Sequence, residues 1–458
     1  MVKGDPKIIR AWTMYDWANS SYSLTISSAI FPIFYGAITV VTLADGGTKD
    51  LVMEAHGVPA QTAYSWALSA GFLLVALISP LLSGIADHLG NKKRFLQFFC
   101  YLGASACAGL AFFTLENLFL GLGLLMVACV GFSGSLIFYD AFLPEIAEKK
   151  DHDRISARGY TMGYIGSVIL LVINLAMVMA PDFFHIPATV VLPSWLGGRE
   201  LGGIAARISF ISVAIWWAGW AQIAFRRLPV GSPGPHRGMG VFANGYRELR
   251  KVWGELGHAT RLKRYLAAFF LFNMGIQTVM YLAVNFAQQE IKDHDPRGAV
   301  VPIDETGLIT SILLIQLVAA IGAALFVRLS KRFGNVRALM MGAIAWIGLC
   351  VAAYFTHWAI EFYFLASGVG LVMGGCQALS RSTYAKFLPP TEDTASYFSF
   401  YDVSFYLGTV LGTFAYGAVY AITGDLRNTV IAIGSFFVVG FLLLLRVPKE
   451  ETVPAAIG

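Results

Sequence analysis

Asp16, Asn19, Ser20, Ser23 and Ser27 fall at i, i+3, i+4, i+7 and i+11 in an otherwise apolar segment. That spacing lays a carboxylate, an amide and three hydroxyls along one side of an α-helix. A second set, Asn273, Gln277, Tyr281 and Asn285, steps by four residues toward Gln288. A third gathers Ser367, Gln377, Arg381 and Tyr384 in one sector. Such groups hold small polar molecules by hydrogen bonding rather than by making bonds. The sequence contains no H-E-x-x-H, no Gly-Lys dipeptide and no nucleophile–base constellation. Zinc hydrolysis, P-loop ATP use and covalent catalysis therefore have no residues to act with. No enzyme activity, cofactor or metal is expected. Asp151-His152-Asp153 and Asp293-His294-Asp295 are short acidic clusters without further spaced ligands.

Charges within or next to apolar runs are few: Asp16, Asp140, Arg158, Arg207, Arg381 and Asp402. Asp140, Arg158 and Arg381 lie near span ends, where loop-facing salt bridges are expected. Asp16 and Asp402 lie one to two turns inside, where burial is expected. Asp16 has two readings. A carboxylate that takes a proton on one side and releases it on the other couples transport to the proton gradient; a fixed bridge to Arg158 or Arg381 holds helices together.

These side chains need membrane-spanning helices to position them. The chain has 458 residues, 57% hydrophobic and 13% charged, with mean hydropathy +0.64. Soluble domains carry about 25% charged residues, so a soluble multidomain enzyme is excluded. The apolar runs approach the ~20 residues of a spanning helix, not the ~10 alternating residues of a barrel strand. Twelve spans are predicted, near 11–41, 64–86, 95–113, 118–143, 156–180, 204–226, 265–287, 306–328, 338–356, 360–384, 396–421 and 429–446. The Pro-rich stretch 181–203 reads as an external loop touching the interface. The N-terminus reads as a first span rather than a removed signal.

With an even number of spans, 27 of the 33 basic residues fall on the side of the termini. The positive-inside rule then places both termini in the cytoplasm of a cell (inner) membrane. The net charge of +5 reflects loop placement, so lipid is expected as a partner and nucleic acid is not. The five cysteines all lie in apolar runs and read as small hydrophobes.

The chain repeats. Leu89-Gly90-Asn91 matches Phe333-Gly334-Asn335, and Phe142-Leu143-Pro144 matches Phe387-Leu388-Pro389, at nearly equal offsets. Two six-span halves are expected, 1–228 and 264–458, with substrate held between them. The joining segment, 229–263, opens on Gly231-Ser232-Pro233-Gly234-Pro235. It continues with Phe242, Tyr246, Leu249, Trp253 and Leu256 at helical spacing. This amphipathic helix either lies on lipid or packs on the bundle ends. Gly159-x-x-x-Gly163-x-x-Gly166 and Gly408-x-x-x-Gly412 mark close helix contacts, expected between the halves.

The loop Ser83-Gly84-Ile85-Ala86-Asp87-His88-Leu89-Gly90-Asn91-Lys92 resembles the G-x-x-x-D-R-x-G-R-K signature of the major facilitator superfamily. Asp87, Gly90 and Lys92 fit; Ser83, His88 and Asn91 depart from it. Tyr15-Asp16-Trp17-Ala18-Asn19-Ser20, Tyr139-Asp140-Ala141-Phe142-Leu143-Pro144-Glu145 and Ser156-Ala157-Arg158-Gly159-Tyr160 are similar to the vacuole-effluxer-like branch. Eukaryotic members of that branch are implicated in amino-acid release from the vacuole. The resemblance implies an all-α major facilitator fold, working as a monomer. It implies a secondary transporter of a small polar or zwitterionic solute; the rival is a transport-inactive scaffold or sensor of the same fold. It puts Ser83, Asp87, Gly90, Lys92 and Arg158 in a conformational latch. The cavity and coupling candidates are Asp16, Asn19, Ser23, Asp140, Asn273, Gln277, Tyr281, Gln377, Arg381 and Asp402, because spans one, four, seven and ten line the central cavity in that superfamily.

Overall fold

Lipid offers no hydrogen bonds to peptide groups, so long apolar runs close their backbones as helices. The computed structural model describes residues 3–42, 48–191, 198–231, 241–294 and 299–449. Among these, twelve helices are long and apolar enough to cross a membrane. They are Pro6–Thr39, Ala60–His88, Lys92–Phe112, Leu115–Ile146, Lys149–Met179, Ile204–Arg227, Thr260–Glu290, Thr306–Phe333, Asn335–Phe355, Ala359–Phe387, Thr394–Thr423 and Leu426–Leu445. They form two bundles of six. Their starts are capped where the sequence offers Asp: Asp5, Asp304 and Asp425 accept from Lys7, Gly307 and Arg427 backbone N–H groups at 2.7–2.8 Å.

Twelve crossings return the chain to the face where it started, here called the basic face. Three short antiparallel ribbons, Val40–Thr42 with Thr48–Asp50, Thr189–Val191 with Glu200–Gly202, and Lys292–His294 with Val300–Pro302, lie on the opposite face. The stretch 181–203 thus begins with a turn and closes as a hairpin; its residues 192–197 lie outside the described ones. In the first span, Tyr22–Ile30 winds as a π-helix. The wider turn leaves Ser23, Ser27 and Ser28 partly exposed beside buried Leu24, Thr25 and Ile26.

Gly159 lies where Arg381 of the other half comes in, but the rest of the two glycine stripes packs within each half. A Cβ on Gly163 would stand 2.4 Å from Ser20 Oγ of the first span, and one on Gly412 would stand 2.2 Å from Thr278 Oγ1 of the seventh. Small residues bring these particular pairs together because backbone approach is what packs helices in lipid. The halves meet instead along spans five and eight, and along two and eleven.

The joining helix, Val241–His258, packs on the bundle ends. Residues 232–240, including most of the breaker run, lie outside the described ones, as does the Phe242 side chain. Gly245 sits on the second span, where a Cβ on Gly84 would be 2.4 Å from its carbonyl oxygen. Toward the eleventh span, Tyr397 donates to Glu255 at 2.8 Å and Lys251 pairs with Asp393 at 2.8 Å. Hydrogen bonds to Asp393 and Glu248 hold the Lys251 ammonium above the usual lysine range. Val252 and Leu256 are buried, while Tyr246 and Trp253 face outward.

Candidate functional site: a charged gate between the halves

Arg381, on the tenth span, is 1% exposed and reaches into the other half. Its Nη1 donates to Asp140 Oδ1 at 3.0 Å and its Nη2 to Asp16 Oδ2 at 3.1 Å. Nε donates to Ser156 Oγ at 2.9 Å, and Nη2 also to the Ser156 carbonyl at 3.0 Å. Four bonds engage a guanidinium that offers five N–H donors in one plane. Trp12, Tyr139 and Tyr160 present ring faces to its carbon at 4.8, 5.5 and 4.2 Å. These cation–π contacts strengthen in desolvated sites. Tyr139 Oη also donates to Asp16 at 2.7 Å.

The floor of this cluster is Gly159. A Cβ there would stand 2.3 Å from Asp16 Oδ2 and 2.9 Å from Arg381 Nη2. Only glycine lets the fifth span pass beneath the ion pairs.

Placement corrects several expectations. Asp140 and Arg381 do not face the loops; they form a buried pair. Arg158 is exposed and makes no ion pair among the described residues, so it stands apart from both Asp16 and the latch. Arg207 is a structural clamp, donating to the carbonyls of Gly202, Ala111 and Phe113 at 2.7–2.8 Å. Asn273 and Gln277 are 2% exposed and bound inward: Gln277 donates to Asn273, which donates to the Phe405 carbonyl. Asn273 ties the seventh span to the eleventh, and Gln277 holds Asn273 from the same helix. Gln377 accepts from Tyr164 across the halves at 2.6 Å. Asn19 is buried with its Nδ2 unpaired, and Ser23, partly exposed, bonds back to the Ser20 carbonyl. Tyr281 meets Phe72 of the second span edge to face and Tyr406 stacks on it, with ring centroids 5.8 and 5.7 Å away. Asp402 is buried on the eleventh span.

Two candidate latches flank this cluster. Asp87 accepts from the backbone N–H groups of Ala395 and Ser396, at 3.3 and 2.6 Å, in the first turn of the eleventh span. An anion there meets the positive end of the helix dipole. Lys92 backs it, pairing with Asp87 at 3.5 Å, with Glu145, and with Thr394 Oγ1 at 2.8 Å. Gly90 turns the chain at φ +60°, a left-handed conformation, and Ser83 is buried against the Pro80 carbonyl.

The second latch was not legible as one. Asp153, read above as part of an acidic cluster, accepts from Ser330, Asn335, Ser382 and Lys386 of the other half at 2.6–2.9 Å. The signal that points to it is the repeat: Asn335 belongs to the copy of Leu89-Gly90-Asn91, and Gly334 turns at φ +85° as Gly90 does.

Twelve spans in two bundles, joined at one face by buried ion pairs, have the architecture of a transmembrane transporter of the major facilitator type. Solved structures agree on the fold. The major facilitator superfamily transporter FucP in its outward conformation, the E. coli fucose:proton symporter, aligns with TM-score 0.66 over 98% of this chain and 99% of that one, at 14% identity. The proton:xylose symporter XylE aligns with TM-score 0.67 over 97% and 96%, at 12% identity.

The model of the vacuole effluxer Atg22-like family matches residues 4–456, and the chain belongs to that family. It is 30% identical over 456 residues to the uncharacterized MFS-type transporter YxiO of Bacillus subtilis, covering 99% of this chain and 97% of that protein. Autophagy-related protein 22 of Cryptococcus neoformans is 25% identical over 325 residues, which are 65% of this chain and 53% of that protein.

Proposed function

We propose that this chain is a secondary transporter moving a small polar or zwitterionic solute, amino acids among them, by alternating access coupled to the proton gradient. Residues 1–228 and 264–458 are the moving halves and 229–263 the joint; both termini are cytoplasmic, and one monomer suffices. The observation that carries this reading is Arg381, held by Asp16 and Asp140 of the opposite half. Ion pairs between two rigid bodies give a two-state element, formed when the basic face is shut and broken when it opens. Asp16, engaged by Arg381 and Tyr139, is assigned to this gate rather than to proton carriage. Partly exposed Ser23, Tyr281 and Gln377, with Asn19 beside them, are assigned to the solute path.

Purified protein in vesicles, given labelled amino acids, peptides and sugars in a counterflow assay, tests the proposal. Saturable exchange of one class is the expected result. A ligand that raises the melting temperature but produces no flux in any arm would favour the transport-inactive scaffold. Orientation is checked with cysteines replacing Lys150 and Lys49, which should react with impermeant reagent from opposite faces.

A further inference from the structure

Four aspartates are buried among the described residues: Asp16, Asp140, Asp153 and Asp402. Three have a cation, Arg381 for the first two and Lys386 for the third. Asp402 has none. It is 4% exposed, its Oδ2 has no hydrogen-bond partner, and no ion pair reaches it among the described residues.

We propose that Asp402 is a proton-binding site, loaded while the basic face is shut and emptied when the halves part. The inference rests on the alternating-access reading. An ionised carboxylate buried without cation or donor is unfavourable, and such a group carries its proton instead. Within electrostatic reach of Asp402 are Asp140 from the fourth span, Tyr160 from the fifth, Tyr384 from the tenth, and Tyr401 and Tyr406 on its own helix. None is a cation, and the Asp140 charge adds repulsion to an ionised Asp402.

Asp140 and Tyr160 belong to one half and Asp402 to the other, so the site lies on the seam that must open. When Arg381 leaves Asp140 and Asp16, water enters the seam. The Asp402 carboxylic acid then gives its proton to that water and remains as a hydrated carboxylate. Reclosure expels the water and requires a proton to be taken up again. The proton is thereby tied to the conformational cycle through a residue different from the one that locks the gate.

The test needs no solute and no flux, so it stands apart from the transport assay. Infrared difference spectra of the full chain in lipid, recorded at successive pH values, report protonated carboxyl groups through their C=O stretch. The wild type should show a carboxylic-acid band persisting at neutral pH. Asp402→Asn should abolish that band, Asp402→Glu should move it, and Asp16→Asn should leave it in place. An unchanged band in folded Asp402→Asn, or its loss in Asp16→Asn alone, would overturn the assignment. Should Asp402→Asn fail to fold, the Asp402→Glu shift decides: a band that does not move contradicts the proposal.

Discussion

At the basic face the second span meets the eleventh through Asp87, and the fifth meets the eighth and tenth through Asp153. The repeat makes these two junctions counterparts, yet their chemistry differs. Asp87 stands at a span's end and accepts from backbone N–H groups that open the next half's helix. Asp153 stands at a span's start and accepts from four side chains, one of them the Lys386 ammonium. The two junctions share the place of the contact and a positive-φ glycine, while the acid stands on opposite partners. Only the first junction therefore bears the linear signature. Both acids have a lysine, Lys92 for Asp87 and Lys386 for Asp153; the first contact across the halves is made to backbone N–H groups and is expected to tolerate loss of charge better than the second, which is made to side chains alone.

The largest expected effect comes from the centre that both latches flank. Arg381→Ala leaves Asp16 and Asp140 buried without a cation, and breaking a buried pair costs about 3–5 kcal/mol. A marked fall in melting temperature in lipid or detergent should follow; a melting curve like the wild type's would show that water already reaches the cluster. Asp153→Ala comes next. It takes the carboxylate from Lys386 and from three donors that keep second partners, so it should fall at or below the lower end of that ~3–5 kcal/mol range, measured in the same way. Asp87→Asn should be milder for stability, because an amide oxygen still accepts from the Ser396 N–H and Lys92 keeps Glu145 and Thr394; what is lost is the Lys92–Asp87 pairing and the ~0.3–1 kcal/mol charge–dipole interaction. It should nonetheless cripple exchange while leaving solute affinity nearly intact. If Asp87→Asn proved as destabilising as Asp153→Ala, the proposed contrast between the latches would be wrong. Smallest is Lys251→Ala on the joining helix, whose ammonium is half exposed; surface pairs contribute about 0–1 kcal/mol, and a larger loss would make the joining helix a third latch.

What the sequence made legible follows a physical line. Apolar length marks each span, and the Asp87-to-Lys92 signature is local, so both could be read directly. The gate could not: Asp16 and Arg381 stand 365 positions apart and become one site only through packing. Arg381 read as loop-facing because span ends are wet on average, whereas this end is covered by Trp12, Tyr139 and Tyr160 of the other half. The glycine stripes announced close contact but not the partner, since Gly163 and Gly412 touch helices of their own halves. Asp153 was hidden by its neighbours Asp151 and His152, which make the segment look like a hydrated loop. Asn273 and Gln277 had the right spacing for a cavity, but spacing does not tell a solute contact from a bond to the Phe405 carbonyl.

The central claim is that the ion pairs of Arg381 hold the two halves together at the basic face. Spin labels on cysteines replacing Lys150 and Lys331, exposed residues of opposite halves, read that closure as a distance; the native cysteines are buried and should not compete for label. In lipid, the otherwise native protein should give one predominantly short distance, and the Asp16→Asn, Asp140→Asn double variant should add a longer one. An unchanged distance distribution in a folded double variant would contradict the gate.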